Sequence, residues 1–293
     1  MLKELAIITI SVTNPGAVQE AYQEHLGYQT VETGQVSEAL AALWQAPAME
    51  GKDYVLMKPS KMAPVYLRFV ENDPVADYGP TKTQGWNAFE LVVKSPDALV
   101  KHLEGSPFKV LGYPKDLYPV EGAPRVMQVV GPANEVIYLT RPAGGDKVAT
   151  YGDTFVGRSF IVVTGGPDIE AQRSYWNETF GSPVAPAQNY KITTISKLND
   201  LPLDTEYGLS IVPVTGGSMI ELDGYKDGWP ERTVNAGALP PGMATVGFTM
   251  DSHADFNGEW TTTPRAMNEF PYDGANTGLT IGPNGEWLEL IER

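Results

Sequence analysis

The sequence predicts an α+β protein made of four strand–helix–strand–strand–strand (βαβββ) units arranged as two pairs. Three observations carry this expectation. The same order of hydrophobic periodicities returns four times along 293 residues, a length that suits two modules of about 150 residues each. The two halves also match one another: Ala21-Tyr-Gln-Glu-His-Leu-Gly27 parallels Tyr175-Trp-Asn-Glu-Thr-Phe-Gly181, and Gly131-Pro-Ala-Asn-Glu-Val-Ile-Tyr-Leu139 parallels Gly282-Pro-Asn-Gly-Glu-Trp-Leu-Glu-Leu290. Finally, a stretch rich in Gly and small residues, Arg141-Pro-Ala-Gly-Gly-Asp-Lys147, lies between the halves, giving expected modules at 1–145 and 155–293.

The first unit opens with the β-branched run Leu5–Val12, which Asn14-Pro15 closes with a helix-start signal. Helical spacing follows from Ala17 to Leu26, with Gly27 as the stop, and then extended segments at Leu40–Gln45, Tyr54–Met57 and Val65–Glu71. In the second unit Asn87–Val93 reads as a strand, and Ser95-Pro-Asp97 opens a helix that ends near Leu103. Three strands follow at Phe108–Leu111, Arg125–Val130 and Glu135–Leu139. The third unit has a strand at Phe160–Thr164, a helix after Asp168 that ends at Gly181, and strands at Lys191–Ser196, Leu209–Val214 and Ser218–Leu222. The fourth runs from a strand at Ala244–Met250, through a short helical stretch near Asp255, to a hairpin at Asn284-Gly285, a pair that tolerates the positive φ of a tight turn.

Bulk chemistry removes several function classes. With 21 Lys+Arg against 36 Asp+Glu, the net charge of −15 repels nucleic-acid phosphates and anionic membrane surfaces. There is no cysteine, so disulfides, thiolate catalysis and Cys-ligated metals are excluded, which fits a reducing cytoplasmic setting. Leu5–Val12 is too short and too interrupted by Thr9 and Ser11 to read as a signal peptide, and no apolar run reaches membrane-spanning length. Gly165-Gly-Pro167 lacks the Lys-Ser/Thr of a phosphate loop, and neither Ser11 nor Ser159 has a partner His on a nearby strand. Tyr175 and Trp176 read as core anchors. The expected partners are a small organic substrate and, as one option, a second copy in a homodimer, with neither nucleic acid nor membrane.

A first strand ending Val-x-Asn, a helix ending Leu-Gly and a closing Gly-Pro-x-x-x-x-x-Glu-Leu hairpin, repeated in order, resemble the vicinal oxygen chelate superfamily. That superfamily includes glyoxalase I, bleomycin-resistance proteins and extradiol dioxygenases, and the resemblance covers nearly the whole chain. It implies paired modules whose mixed sheets curl into cups. It also implies a metal held by His on two first strands and Glu on a closing strand, with coordination positions left open for chemistry. The matching positions here are Ile7, Trp86 and Tyr138 in the first half, and Arg158 or Ser159, Thr245 and Glu289 in the second. Only Glu289 is a usual ligand. His25, His102 and His253 fall outside strand positions that would face a cup, so no metal and no other cofactor is expected.

Strand alternation then sorts side chains by face. Ile7, Thr9 and Ser11 point inward, and a first cup holding Tyr66, Arg68, Trp86, Glu90 and Tyr138 follows. Such a set suits a planar ligand with an anionic or carbonyl end; equally, Arg68 and Glu90 form an ion pair that only satisfies two half-buried charges. The second cup holds Glu221, Thr245, Gly247, Thr249 and Glu289. With no Lys or Arg in those strand runs, Glu221 and Glu289 are expected to share a proton and serve as the acid and base. The expected activity is that of a metal-independent lyase or isomerase, moving protons by carboxylate on a small carbonyl-bearing or aromatic compound. The alternatives are a protein that sequesters an aromatic or antibiotic-like ligand, and an extradiol-type dioxygenase with an unusual ligand set.

Overall fold

The computed structural model describes residues 1–59, 64–143, 155–225 and 229–293. The first unit comprises β1 (Leu2–Val12), α1 (Pro15–Leu26), β2 (Tyr28–Gln35), α2 (Glu38–Leu43), β3 (Asp53–Pro59) and β4 (Tyr66–Glu71). The second comprises β5 (Gly85–Val93), α3 (Pro96–His102), β6 (Lys109–Asp116), β7 (Arg125–Val130) and β8 (Val136–Arg141). In the third are β9 (Val156–Gly166), α4 (Ile169–Phe180), β10 (Gln188–Tyr190), α5 (Thr193–Leu198), β11 (Tyr207–Val214) and β12 (Ser218–Gly224). The fourth contains β13 (Gly242–Met250), a 3-10 turn at His253–Asp255, β14 (Thr262–Ala266), β15 (Asn276–Ile281) and β16 (Trp287–Glu292). Part of the expected linker, residues 144–147, lies outside the described residues.

These strands form two eight-stranded mixed sheets. Sheet A has the order β14-β15-β16-β13-β1-β4-β3-β2, and sheet B the order β10-β11-β12-β9-β5-β8-β7-β6. Unit one therefore shares a sheet with unit four, and unit two with unit three. Each half supplies one unit to each sheet. The cups drawn within each half are regrouped accordingly: Arg68 now faces Glu289, and Glu90 shares a sheet with Glu221. At the centre of each sheet two first strands pair antiparallel, β1 with β13 and β5 with β9, and each is flanked by its own closing strand in parallel.

Local chemistry explains the elements. Asn14 caps α1 through Ala17 N–H, and Gly27 ends that helix at φ 68°, a left-handed conformation that costs glycine little. Asp168 and Gly181 do the same for α4. The repeated Gly-Pro-x-x-Glu turn is built around its carboxylate. Glu135 accepts from Ala133 N–H at 2.8 Å and Tyr22 hydroxyl at 2.7 Å, while Glu286 accepts from Asn284 N–H at 2.8 Å and Thr164 hydroxyl at 2.6 Å. Both carboxylates are buried and structural.

Two expected strands are helices. Leu40–Gln45 lies in α2 and the turn after it, where Ser37 caps a run of helix formers, Glu38-Ala-Leu-Ala-Ala-Leu43. Lys191–Ser196 lies largely in α5. The faces opposite the cups join α1, α3 and α4 in one core that includes Ile8, Ile10, Tyr22, Phe69, Phe89, Leu99, Trp176 and Phe248. A second cluster, with Leu40, Leu43, Trp44, Met267 and Tyr272, fills the cup of sheet A.

Candidate functional site

The sheet A cup is closed by its own side chains. Register places Arg68 beside Thr9 and Thr9 beside Thr245, while Glu289 lies beside Gly247. Glu289 Oε1 accepts from Trp44 Nε1 at 2.8 Å, Thr245 Oγ1 at 2.8 Å and Arg68 Nη2 at 3.1 Å; Oε2 accepts from the Tyr272 hydroxyl at 2.6 Å. Arg68 also donates to Thr9 Oγ1 at 2.9 Å and 3.1 Å, and its guanidinium lies 4.8 Å from the Trp44 ring centroid. Arg68 is 2% exposed and Glu289 0%. Each charge is paired and both carboxylate oxygens are hydrogen-bonded, which is what a buried ion pair needs to persist. No proton is shared between Glu221 and Glu289, because they belong to different sheets and Glu289 has Arg68 as its partner. The expected Arg68–Glu90 pair is absent for the same reason.

The sheet B cup is built differently. Its floor carries Ala88 and Glu90 from β5, Tyr138 from β8, Ile161 and Val163 from β9, and Met219, Glu221 and Asp223 from β12. Register sets Tyr138, Glu90, Ile161 and Met219 in one row, and Val163 with Glu221 in the next. Tyr138, Met219 and Glu221 are mostly buried but keep some exposure, so the floor is not fully sealed. At one end the Tyr225 ring lies over Gly165, where a Cβ would come within 2.1 Å of the ring. The pair Gly165-Gly166 is thus the seat of an aromatic side chain and, at Gly166, of the Asn284 amide. Above the cup, α5 packs Leu198 against the apolar part of the floor.

Three carboxyl groups share this cup, and their proton affinities reflect it. Burial raises Glu90 to about 7, opposed by a 2.8 Å hydrogen bond from Thr140. Burial and the neighbouring Glu90 raise Asp223 to about 8. Glu221 is pushed well above the usual carboxylate range by burial, then by Asp223 and Glu90. The Tyr138 phenol is held neutral by burial and by all three carboxyls. Among the described residues, no Lys, Arg or His forms an ion pair with any of the three.

The expected site residues therefore divide. Arg68, Tyr66, Thr245 and Glu289 belong to the sheet A cup, where Tyr66 packs against Phe270 at 5.3 Å. Thr249 sits at the far end of β13, beside Glu4 and Ile291 and outside the Glu289 network. Glu90, Tyr138 and Glu221 come together in the sheet B cup. Trp86 lies in neither: an irregularity between Trp86 and Ala88 breaks the alternation, and Trp86 turns into the core against Trp176 and Phe248. Asp223 and Tyr225 were not among the expected residues. Asp223 stands two residues after Glu221 on the same strand, so period-two alternation already carried its signal.

The metal implied by the resemblance does not fit these residues. In the sheet A cup the guanidinium of Arg68, itself a cation, occupies Glu289, and Ile7 and Thr245 fill the first-strand positions. In the sheet B cup Tyr138 takes a closing-strand position, and Ser159 is spent on Ile161 O at 3.3 Å. Arg158 donates to Ser218 Oγ and Gly216 O. Among the described residues, no group of three or more His, Asp or Glu is placed to hold a metal.

The sheets, their order and the paired cups define a glyoxalase-like α+β fold of two modules. Comparison with solved structures agrees. The chain is similar to glyoxalase I from Zea mays, with a TM-score of 0.66 and 11% identity over 99% of this chain and 92% of that one. It is also similar to a candidate dioxygenase from Bacillus subtilis subsp. subtilis strain 168, with a TM-score of 0.61 and 12% identity over 99% of this chain and 85% of that one. At such identities the likeness shows the fold alone. No family model matches the sequence, and no curated protein matches it. Among the described residues, no helix is long and apolar enough to cross a membrane.

Proposed function

We propose that the protein is a metal-independent enzyme that moves protons on a small organic compound in the sheet B cup, as a lyase or isomerase would. The observation that carries this reading is the set Glu90, Glu221 and Asp223 on one half-open floor, with raised proton affinities and no cationic partner among the described residues. Carboxyl groups that titrate near neutral pH can both release and accept a proton in the working range, which is the property of a general acid–base pair. In this reading Glu221, partly exposed and central, removes a proton in its ionised form from a carbon next to a carbonyl. Glu90, in its protonated form, returns one, and the neutral Tyr138 hydroxyl donates a hydrogen bond to the oxygen that gains charge. The apolar floor of Ile161, Val163 and Met219 takes the body of the substrate. Arg68 and Glu289 maintain the fold.

The test is solvent-deuterium incorporation, followed by NMR, into a panel of carbonyl compounds by chelator-treated protein. Exchange into at least one compound, lowered by about 10²-fold or more in Glu221→Gln, supports the reading, that being the usual scale for a positioned acid–base group. Exchange that requires added metal, survives Glu221→Gln, or is absent from every compound that binds the cup contradicts it.

A further inference from the structure

We propose that the ligand of the sheet B cup is a small organic cation, an ammonium compound with an apolar body, anchored at the Asp223–Tyr225 end. The proposal rests on the reading of this cup as the functional site and adds the class of molecule it takes. Two atoms point to it independently of the acidic cluster. Asp223 Oδ1 and the Tyr225 hydroxyl oxygen are both buried and have no hydrogen-bond partner, in side chains that are each only 2% exposed. An unsatisfied buried acceptor is costly unless a ligand or water completes it. Both groups lie at the same end of the floor: Asp223 faces Gly165 across β9, and the Tyr225 ring covers Gly165.

What completes them is set by charge. Asp223, Glu221 and Glu90 are pure acceptors when ionised, and among the described residues none of them has an ion-pair partner; Arg232, whose charge acts on Tyr225 at that end, is committed to the backbone oxygens of Trp86, Pro241 and Met243. An anionic ligand would add repulsion to three carboxyls. A neutral ligand would gain little from them. An ammonium group gives up to three N–H donors, satisfies Asp223 Oδ1 directly and favours the ionised forms that burial disfavours. The half-buried Trp229 ring lies at that end, its centroid 4.9 Å from that of Tyr225, and Ile161, Val163, Met219 and Leu198 offer apolar contact further along. A net charge of −15 raises the local concentration of cations around the whole molecule. A bare metal ion is a poorer occupant, since among the described residues no three carboxyls are grouped for coordination. With the ammonium held by Asp223, Glu221 and Glu90 stay available for the proton.

The proposal fixes a linkage. Binding a cation lowers the proton affinity of the carboxyls beside it, so binding near pH 7 releases protons. Isothermal titration of the native protein with benzylamine, benzyl alcohol and benzoate, in two buffers of different ionisation enthalpy, reads both affinity and proton release. Benzylamine is expected to bind at least about tenfold more tightly than benzyl alcohol, to release protons, and to lose about tenfold in affinity in Asp223→Asn. Benzoate is expected to bind weakest. Equal affinity for benzyl alcohol or benzoate, binding of benzylamine without proton release, an unaffected Asp223→Asn, or no binding of any of the three would overturn the proposal. The outcome is separable from that of the proton-transfer reading, because benzylamine lacks a carbonyl and is scored by binding alone. A protein that binds it but exchanges no deuterium keeps this inference and loses the enzymatic one.

Discussion

The two cups share one plan and end in opposite states. Each is entered by a short helix inserted between two strands of one unit, α2 in sheet A and α5 in sheet B. The residue that ends α2 is Trp44, fully buried and hydrogen-bonded to Glu289. The residue that ends α5 is Asn199, which turns away to Thr81. A second difference lies in the loop before the last two strands of a unit. In unit four, Phe270-Pro-Tyr-Asp-Gly-Ala275 folds inward, and Tyr272, 1% exposed, closes on Arg68 and Glu289. The matching stretch of unit two, Tyr118-Pro-Val-Glu-Gly-Ala123, stands outward with Tyr118 51% and Val120 61% exposed. Two aromatic side chains thus separate a sealed ion-pair network from a floor that keeps some exposure. Position on the fold does not decide which carboxylate is available for chemistry. The side chains brought over it do.

The largest expected effect tests the sealed cup. Arg68→Ala leaves Glu289 buried without its cation and is expected to cost about 3–5 kcal/mol, whereas the double variant Arg68→Met/Glu289→Leu recovers most of it. Denaturant unfolding checks this, and a loss below about 1 kcal/mol for the single variant would show that solvent reaches Glu289 after all. Next in size is the contrast in activity. Glu221→Gln lowers deuterium exchange by about 10²-fold with little change in stability, while Glu289→Gln acts chiefly on stability. Equal kinetic losses in both, at matched folded fraction, would erase the distinction between the cups.

A smaller effect concerns pH. Glu90 and Asp223 have folded-state values of about 7 and about 8, above the ordinary 4.5 and 3.8. The folded state therefore binds more protons than the unfolded state between those limits, and stability falls as pH rises through them. Asp223→Asn removes one of these groups, so it should flatten the decline and raise the melting temperature at pH 8 by a few °C or more, an effect of about 1 kcal/mol or above. A variant that melts lower than the parent at pH 8 would contradict this sign. The smallest effect is local: backbone amides of 117–122 should exchange with deuterium faster than those of 268–274, as their burial differs. Matching protection would mean that the outward loop spends its time closed.

Much of the fold was legible because it is written locally. β1, α1 and α4 with their caps, and the closing strands around Tyr138 and Glu289, follow from side-chain period and terminal signals. Leu40–Gln45 and Lys191–Ser196 were read as strands because a short apolar run does not separate strand from helix; those two segments are the helices that enter the cups. The site was legible only in part. Glu90, Glu221 and Tyr138 were singled out as candidates, but Glu221 was joined to Glu289 because the pairing of units is decided by contacts distant in sequence. Trp86 was misplaced by one irregular position in β5, which alternation cannot foresee. Arg68 shows the limit most plainly. Its burial beside a carboxylate was anticipated, and its true partner stands 221 positions away.

The central claim is that the sheet B cup holds a proton near neutral pH. It is tested most directly by NMR titration of side-chain carboxyl carbons in ligand-free protein, with Glu90→Gln and Asp223→Asn used for assignment. The account predicts carboxyl transitions for Glu90 near pH 7 and for Asp223 near pH 8. Both groups titrating below about pH 5, in the ordinary carboxylate range, would contradict it.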